Sequence, residues 1–169
     1  MPMVLPTVVR RLEFVLLVVI AAADQVTKAI LVRALPLYDS LPVIPGFLNF
    51  THVRNTGAAF GLFNAVDFPY KPAVITLVAL LALVAIAVYA ERFGADTRLS
   101  RVGLGLVLGG AVGNLIDRAR LGYVVDFVDA YWRGWHFWAF NVADAAITVG
   151  AAALILDMLL TARHAPTAR

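Results

Sequence analysis

Between Pro72 and Glu91 the chain reads AVITLVALLALVAIAVYA, uncharged throughout and without a polar face. Few environments suit such a run. Crossing about 30 Å of hydrocarbon as a helix takes roughly 20 mostly apolar residues at about 1.5 Å each. A helix also satisfies its own backbone hydrogen bonds, which hydrocarbon requires. Three other segments approach the same standard. Phe14–Leu35 is apolar except around Asp24-Gln25, Lys28 and Arg33, and the segments beginning near Leu104 and Trp138 are apolar with polar residues near one end.

Composition agrees. Of 169 residues, 62% are hydrophobic, against about 45–50% in soluble domains. We therefore expect one integral membrane domain over residues 1–169. It should be an all-α bundle of four transmembrane helices, at about 12–35, 72–90, 100–118 and 138–160, with a small β element. Arg10-Arg11 before an apolar run and Ala21-Ala22-Ala23 also resemble a cleavable signal. Apolar sequence resumes past Lys28, which favours a retained helix. Asp24 and Lys28 then lie one turn apart on one face, either as a neutralised structural couple or as groups that touch a ligand.

The connections carry the turns. Residues 36–71 contain Pro45-Gly46 and a strand-like stretch, Phe47–Arg54. Residues 119–137 contain strand-like Tyr123–Val128. Trp132, Trp135 and Trp138 resemble an interfacial aromatic belt. In the third helix Gly105, Gly109 and Gly113 follow at steps of four, a pattern for close helix packing in lipid. With four spans the two connections share one face and the termini share the other. Seven basic residues fall on the terminal side and six opposite, which sets no orientation.

Several chemistries drop out. Cysteine is absent, which removes disulfides, thiolate metal sites and cysteine nucleophiles. Only Ser40 and Ser100 exist, neither in a nucleophile-elbow setting. His52, His136 and His164 are scattered, and no H-E-x-x-H occurs. The net charge of +3 comes from dispersed residues, which suits anionic lipid and not nucleic acid.

Carboxylates remain. Asn114, Asp117, Arg118, Asp126, Asp129, Asn141 and Asp144 gather at the facing ends of the last two apolar segments. Ionisable groups near hydrocarbon are expensive, about 2.5–3.5 kcal/mol at a helix centre. They persist where they are paired, wetted or used. Two aspartates at one interface can share a proton, one activating water while the other donates to a scissile carbonyl. Asp144 could instead cap a helix, and Asp126 could be a solvated strand residue. Arg118 could pair with Asp117 or hold a loop. A small proton-coupled transporter or relay is the rival class, but it needs polar groups through the membrane depth, whereas most here sit at one level. A purely structural subunit leaves the two isolated aspartates unexplained.

Five stretches occur in order: DQVTK at Asp24–Lys28, NTGAAF at Asn55–Phe60, GAVGNLIDR at Gly110–Arg118, VVDF at Val124–Phe127 and FNVAD at Phe140–Asp144. Together they closely resemble lipoprotein signal peptidase, the bacterial signal peptidase II. The resemblance runs from about Asp24 to Ala145. It implies a multi-pass enzyme of the bacterial cytoplasmic (inner) membrane with both termini cytoplasmic. It further implies an extracytoplasmic β-cradle between helices 1 and 2, with residues 36–71 and 119–137 on that side. The activity implied is a metal-independent aspartic endopeptidase without cofactor. Its partner would be a diacylglyceryl-prolipoprotein, cut just before the lipidated cysteine in the plane of membrane lipid, by a monomer. Matched by position, Asp126 and Asp144 become the catalytic pair. Asp24, Lys28, Asn55, Gly57, Asn114, Arg118, Asn141 and Ala143 become the supporting and substrate-binding shell.

Overall fold

A computed structural model describes residues 11–57, 66, 68–93 and 97–162. In chain order these form α1 (Arg11–Ala34), β1 (Ser40–Ile44), β2 (Leu48–Asn55), α2 (Lys71–Phe93), α3 (Arg98–Leu121), β3 (Val124–Trp132), β4 (Trp135–His136) and α4 (Val142–Ala162). The protein is mainly helical with one small antiparallel sheet. Helix α1 runs unbroken through the alanine triplet and Asp24. Pro72 falls in the first turn of α2, where its missing N–H leaves no intrahelical bond unmade. Thr97 caps α3 by accepting from Ser100 N–H at 3.0 Å. Gly122 ends it in the left-handed region at φ 78°.

α4 begins later than the expected position near Trp138. Phe140 instead exchanges backbone hydrogen bonds with Val128, its N–H reaching Val128 O at 3.1 Å and its carbonyl accepting from Val128 N–H at 2.8 Å. Strand pairing holds the chain extended until Asn141 caps the helix.

Helix α3 is the central element, packed against α1 and α4 and more lightly against α2. Its glycines permit this. A Cβ on Gly105 would lie 2.8 Å from Leu16, one on Gly109 2.8 Å from Ile20, and one on Gly113 2.7 Å from Asp24 Oδ2, all on α1. Gly103 and Gly110 face α4, where an added Cβ would meet the backbone carbonyls of Gly150 and Ala143. The stripe at steps of four is thus the α1 contact, and a second glycine pair makes the α4 contact.

The bundle is apolar outside and polar within. Phe14, Val18, Ile30, Leu77, Leu81, Val84, Val149, Ile155 and Leu159 are exposed, while Asp24, Lys28, Asn114, Asp117 and Asn141 are buried. Water would penalise that arrangement and lipid rewards it. Among the described residues, three helices are long and apolar enough to cross a membrane, and the apolar stretch Lys71–Ile86 of α2 is shorter.

The sheet runs β1-β2-β3-β4, all antiparallel. A cradle confined to the connection between α1 and α2 is therefore only half right, since β3 and β4 come from the connection between α3 and α4. An isolated two-stranded hairpin is marginal in water, and β3 supplies the apolar side that β1 and β2 lack. Leu31, Val125 and Phe127 form the buried cluster there, packed by Leu35, Tyr123, Val128 and Val142. His52 Nδ1 lies 2.9 Å from Leu35 O, tying β2 to the end of α1. Because β2 pairs with β3, the two connections occupy the same end of the bundle.

Candidate active site

Asp126 sits on β3 opposite Val53, only 2% exposed. Its two oxygens accept from different asparagines. Asn141 Nδ2 donates to Oδ1 at 2.7 Å, and Asn55 Nδ2 donates to Oδ2 at 2.9 Å. Asp144 lies in the first turn of α4, with Asn141 as its N-cap. Asp144 N–H donates to Asn141 Oδ1 at 2.9 Å while Asn141 N–H donates to Asp144 Oδ2 at 3.2 Å, a reciprocal capping box. Asn114 Nδ2 donates to the remaining oxygen, Oδ1, at 2.8 Å. Asn141 therefore touches both aspartates, and its amide also donates to Asn114 Oδ1 and Val125 O, each at 3.2 Å.

Beneath them lies a buried ionic cluster. Lys28 Nζ is 2.7 Å from Asp24 Oδ2 and 2.9 Å from Asp117 Oδ2, and it donates to Asn114 Oδ1 at 3.1 Å. That last bond fixes the Asn114 amide, whose oxygen faces Lys28 while its nitrogen faces Asp144. Asp24 Oδ1 accepts Ala143 N–H at 3.0 Å, filling one of the unpaired donors at the start of α4. Ala143 is fully buried. Asp24 and Lys28 are thus an internal ion pair, one turn apart as their spacing requires.

The loop after β2 is pinned above. Asn55 Oδ1 accepts Gly57 N–H at 2.9 Å, which turns the Asn55 amide nitrogen toward Asp126. Arg118 Nη2 donates to Gly57 O at 3.2 Å and Nη1 to Asn114 O at 3.4 Å. Of the two roles open to Arg118, holding a loop is the one its hydrogen bonds serve. The remainder of the Asn55–Phe60 stretch, from Ala58, lies outside the described residues.

Burial pushes the Asp126 carboxyl up to about 7, with the nearby negative charge of Asp144 adding to the effect. Hydrogen bonds from Asn55 and Asn141 and the charge of Lys28 pull the other way. A cavity of about 580 Å³ opens beside the pair, with Asp144, Asn114, Asn55 and Arg118 at its polar end and residues such as Ala79, Leu83, Ile147 and Val149 along its apolar walls.

All ten residues singled out in the sequence fall in this one network. Asp129 does not: it is held by Asn49 Nδ2 at 3.1 Å and faces His136 Nδ1 at 2.8 Å. Two further members, Asp117 and Gln25, had no place in the shell read from the sequence. Asp117 had only Arg118 as a suggested partner, yet it binds Lys28 and receives Val125 N–H at 3.1 Å and Gln25 Nε2 at 2.8 Å. Gln25 lies inside the DQVTK stretch, and Asp117 lies three residues past Asn114. Those spacings were the available signal.

Known proteins are similar over most of this chain. The family model for signal peptidase (SPase) II matches residues 16–160. The lipoprotein signal peptidase of Geobacter metallireducens is 49% identical over 141 residues, covering 83% of this chain and 86% of that one. That of Pseudomonas syringae pv. tomato is 44% identical over 153 residues, covering 90% and 88%. A solved structure of a bacterial membrane enzyme superposes with a TM-score of 0.80 at 32% identity, covering 93% of each chain. A second superposes at 0.77 with 34% identity, covering 87% and 92%. The chain belongs to the signal peptidase II family, and it is a membrane protease that removes signal peptides.

Proposed function

We propose that this protease acts on diacylglyceryl-modified prolipoproteins as an aspartic endopeptidase, cutting just before the lipidated cysteine, with Asp126 and Asp144 as its catalytic pair. The observation that carries the proposal is the shared hold of Asn141 on both carboxylates, one of which, Asp144, lines an apolar cavity. Such a pair resists double ionisation. Near neutral pH the pair then holds one proton between them, which this reading gives to Asp126, the carboxyl that burial pushes up to about 7. Asp144 takes a proton from water, whose oxygen attacks the scissile carbonyl carbon, while Asp126 donates to the carbonyl oxygen. The tetrahedral intermediate collapses as Asp144 passes the proton it took from water to the leaving nitrogen, the peptide C–N bond breaks, and Asp126 takes back the proton from the re-forming carbonyl.

In this reading all four helices span the bacterial inner membrane as a single, monomeric domain. Both termini are cytoplasmic. The sheet and the aspartates lie near the extracytoplasmic face. Pairing of β2 with β3 supports a common side for the two connections. Exposed Trp132, Trp135 and Trp138 support an interfacial level for that end. The substrate's acyl chains, burying about 0.8 kcal/mol per CH₂, would confine the scissile bond to this depth and restrict its orientation.

The test compares lipidated and unlipidated prolipoprotein with the purified protein in one detergent. The lipidated form should be shortened far faster, even at saturation. Equal maximal rates would contradict positioning by lipid.

A further inference from the structure

Lys28 is 3% exposed and stands between two carboxylates, those of Asp24 and Asp117. Each carboxylate also accepts one backbone N–H, and the two N–H groups occupy matching places. Asp24 takes Ala143 N–H at 3.0 Å, and Ala143 immediately precedes Asp144. Asp117 takes Val125 N–H at 3.1 Å, and Val125 immediately precedes Asp126. One buried ammonium thus couples the backbone of a helix to that of a strand, each just ahead of its aspartate. Lys28 adds a third link through Asn114, which faces Asp144. Gln25 holds the other oxygen of Asp117.

We infer that Asp117 and Asp24, joined through Lys28, are positioning residues that set the separation of Asp126 and Asp144. The inference rests on those two aspartates being the reacting pair. Ionised hydrogen bonds are about twice as strong as neutral ones, and a low dielectric strengthens them further. The geometry they protect is unforgiving, since misplacing a reacting group by about 1 Å can cost about 100-fold in rate. A strut that only stabilised the fold would lower stability and leave turnover per folded molecule intact. A positioning bridge lowers kcat while KM stays put, because neither Asp24 nor Asp117 lines the cavity.

Asp117→Asn, Asp24→Asn, their double variant and Gln25→Met are purified with wild type, with Asp126→Asn as a reference. Folded protein is counted by size exclusion and thermal melting, and kcat and KM are measured on lipidated prolipoprotein. Asp117→Asn and Asp24→Asn should each lower kcat about tenfold or more, with KM within about twofold of wild type. The double variant should be little worse than the singles, because both act through one ammonium. Gln25→Met, which removes the Gln25 Nε2 bonds to Asp117 Oδ1, Asp24 Oδ2 and Gly113 O but leaves both carboxylates on Lys28, should lower kcat about threefold. A kcat within about twofold of wild type in Asp117→Asn, or a loss carried by KM, overturns the inference. If Asp117→Asn does not fold, Gln25→Met decides, and an unchanged kcat there overturns it. Turnover by Asp126→Asn would instead overturn the underlying assignment of the pair.

Discussion

Asn141 and Asp144 cap one another at the start of α4, each accepting the other's backbone N–H through a side-chain oxygen, at 2.9 and 3.2 Å. Asp144 thus has a structural duty in addition to the chemical one assigned to it. The two can be separated. Asn at this position keeps an oxygen for Asn141 N–H and gives up the charge and the acceptor for Asn114 Nδ2, whereas Ala loses the cap as well. Relative to Asp144→Asn, Asp144→Ala should be less stable by about 1 kcal/mol, the usual worth of a helix cap. Thermal melting of both variants in one detergent measures this. Equal melting temperatures would show that the capping box contributes nothing.

Asp126 makes the pH dependence predictable in sign. Its folded carboxyl titrates at about 7, above the ordinary value of about 3.9. The folded protein therefore binds more protons than the unfolded chain between those values, so this group's contribution to stability falls as pH rises through that window. Activity should fall too as pH passes about 7, because the pair loses its one proton. The rate profile on lipidated substrate and the melting temperature across pH 4 to 8 report the two effects. A rate that keeps climbing well beyond pH 8 would remove Asp126 as the proton carrier.

Glycines on α3 should rank by what they face. Gly110→Ala drives a Cβ into the backbone carbonyl of Ala143, which cannot swing away. Gly105→Ala meets Leu16 Cβ at 2.8 Å, a less severe overlap than the one with the Ala143 carbonyl. Overpacking of this kind costs about 1–3 kcal/mol, and Gly110→Ala should be the more destabilised. Melting temperatures of the two variants test the order, and the reverse order would contradict the packing described.

The helices were legible because apolar length and glycine spacing are local properties of the chain. The sheet was less so. Strand-like composition marked Phe47–Arg54 and Tyr123–Val128, but nothing local says that strands from two separate connections pair as Val53 does with Asp126. The start of α4 was misplaced for the same reason, since the bridge between Phe140 and Val128 is a tertiary contact. At the site, residue types and motif order picked out the aspartates and asparagines. Asp117 stood out as one of that polar group, but its role was not legible, because it lies in bonds to Lys28 and Val125, neither of which shares its helix. Spacing predicts partners within an element and is silent about those across elements.

In the function proposed here, Asp126 and Asp144 together perform the cleavage. The most direct test of this is single-turnover cleavage of diacylglyceryl prolipoprotein by folded wild type, Asp126→Asn and Asp144→Asn, read by mass spectrometry of the shortened product. Wild type should release a product beginning at the lipidated cysteine, and each variant should be slower by about 1,000-fold or more, as expected when half of an acid–base pair is removed. Near-normal turnover by either variant would contradict the account.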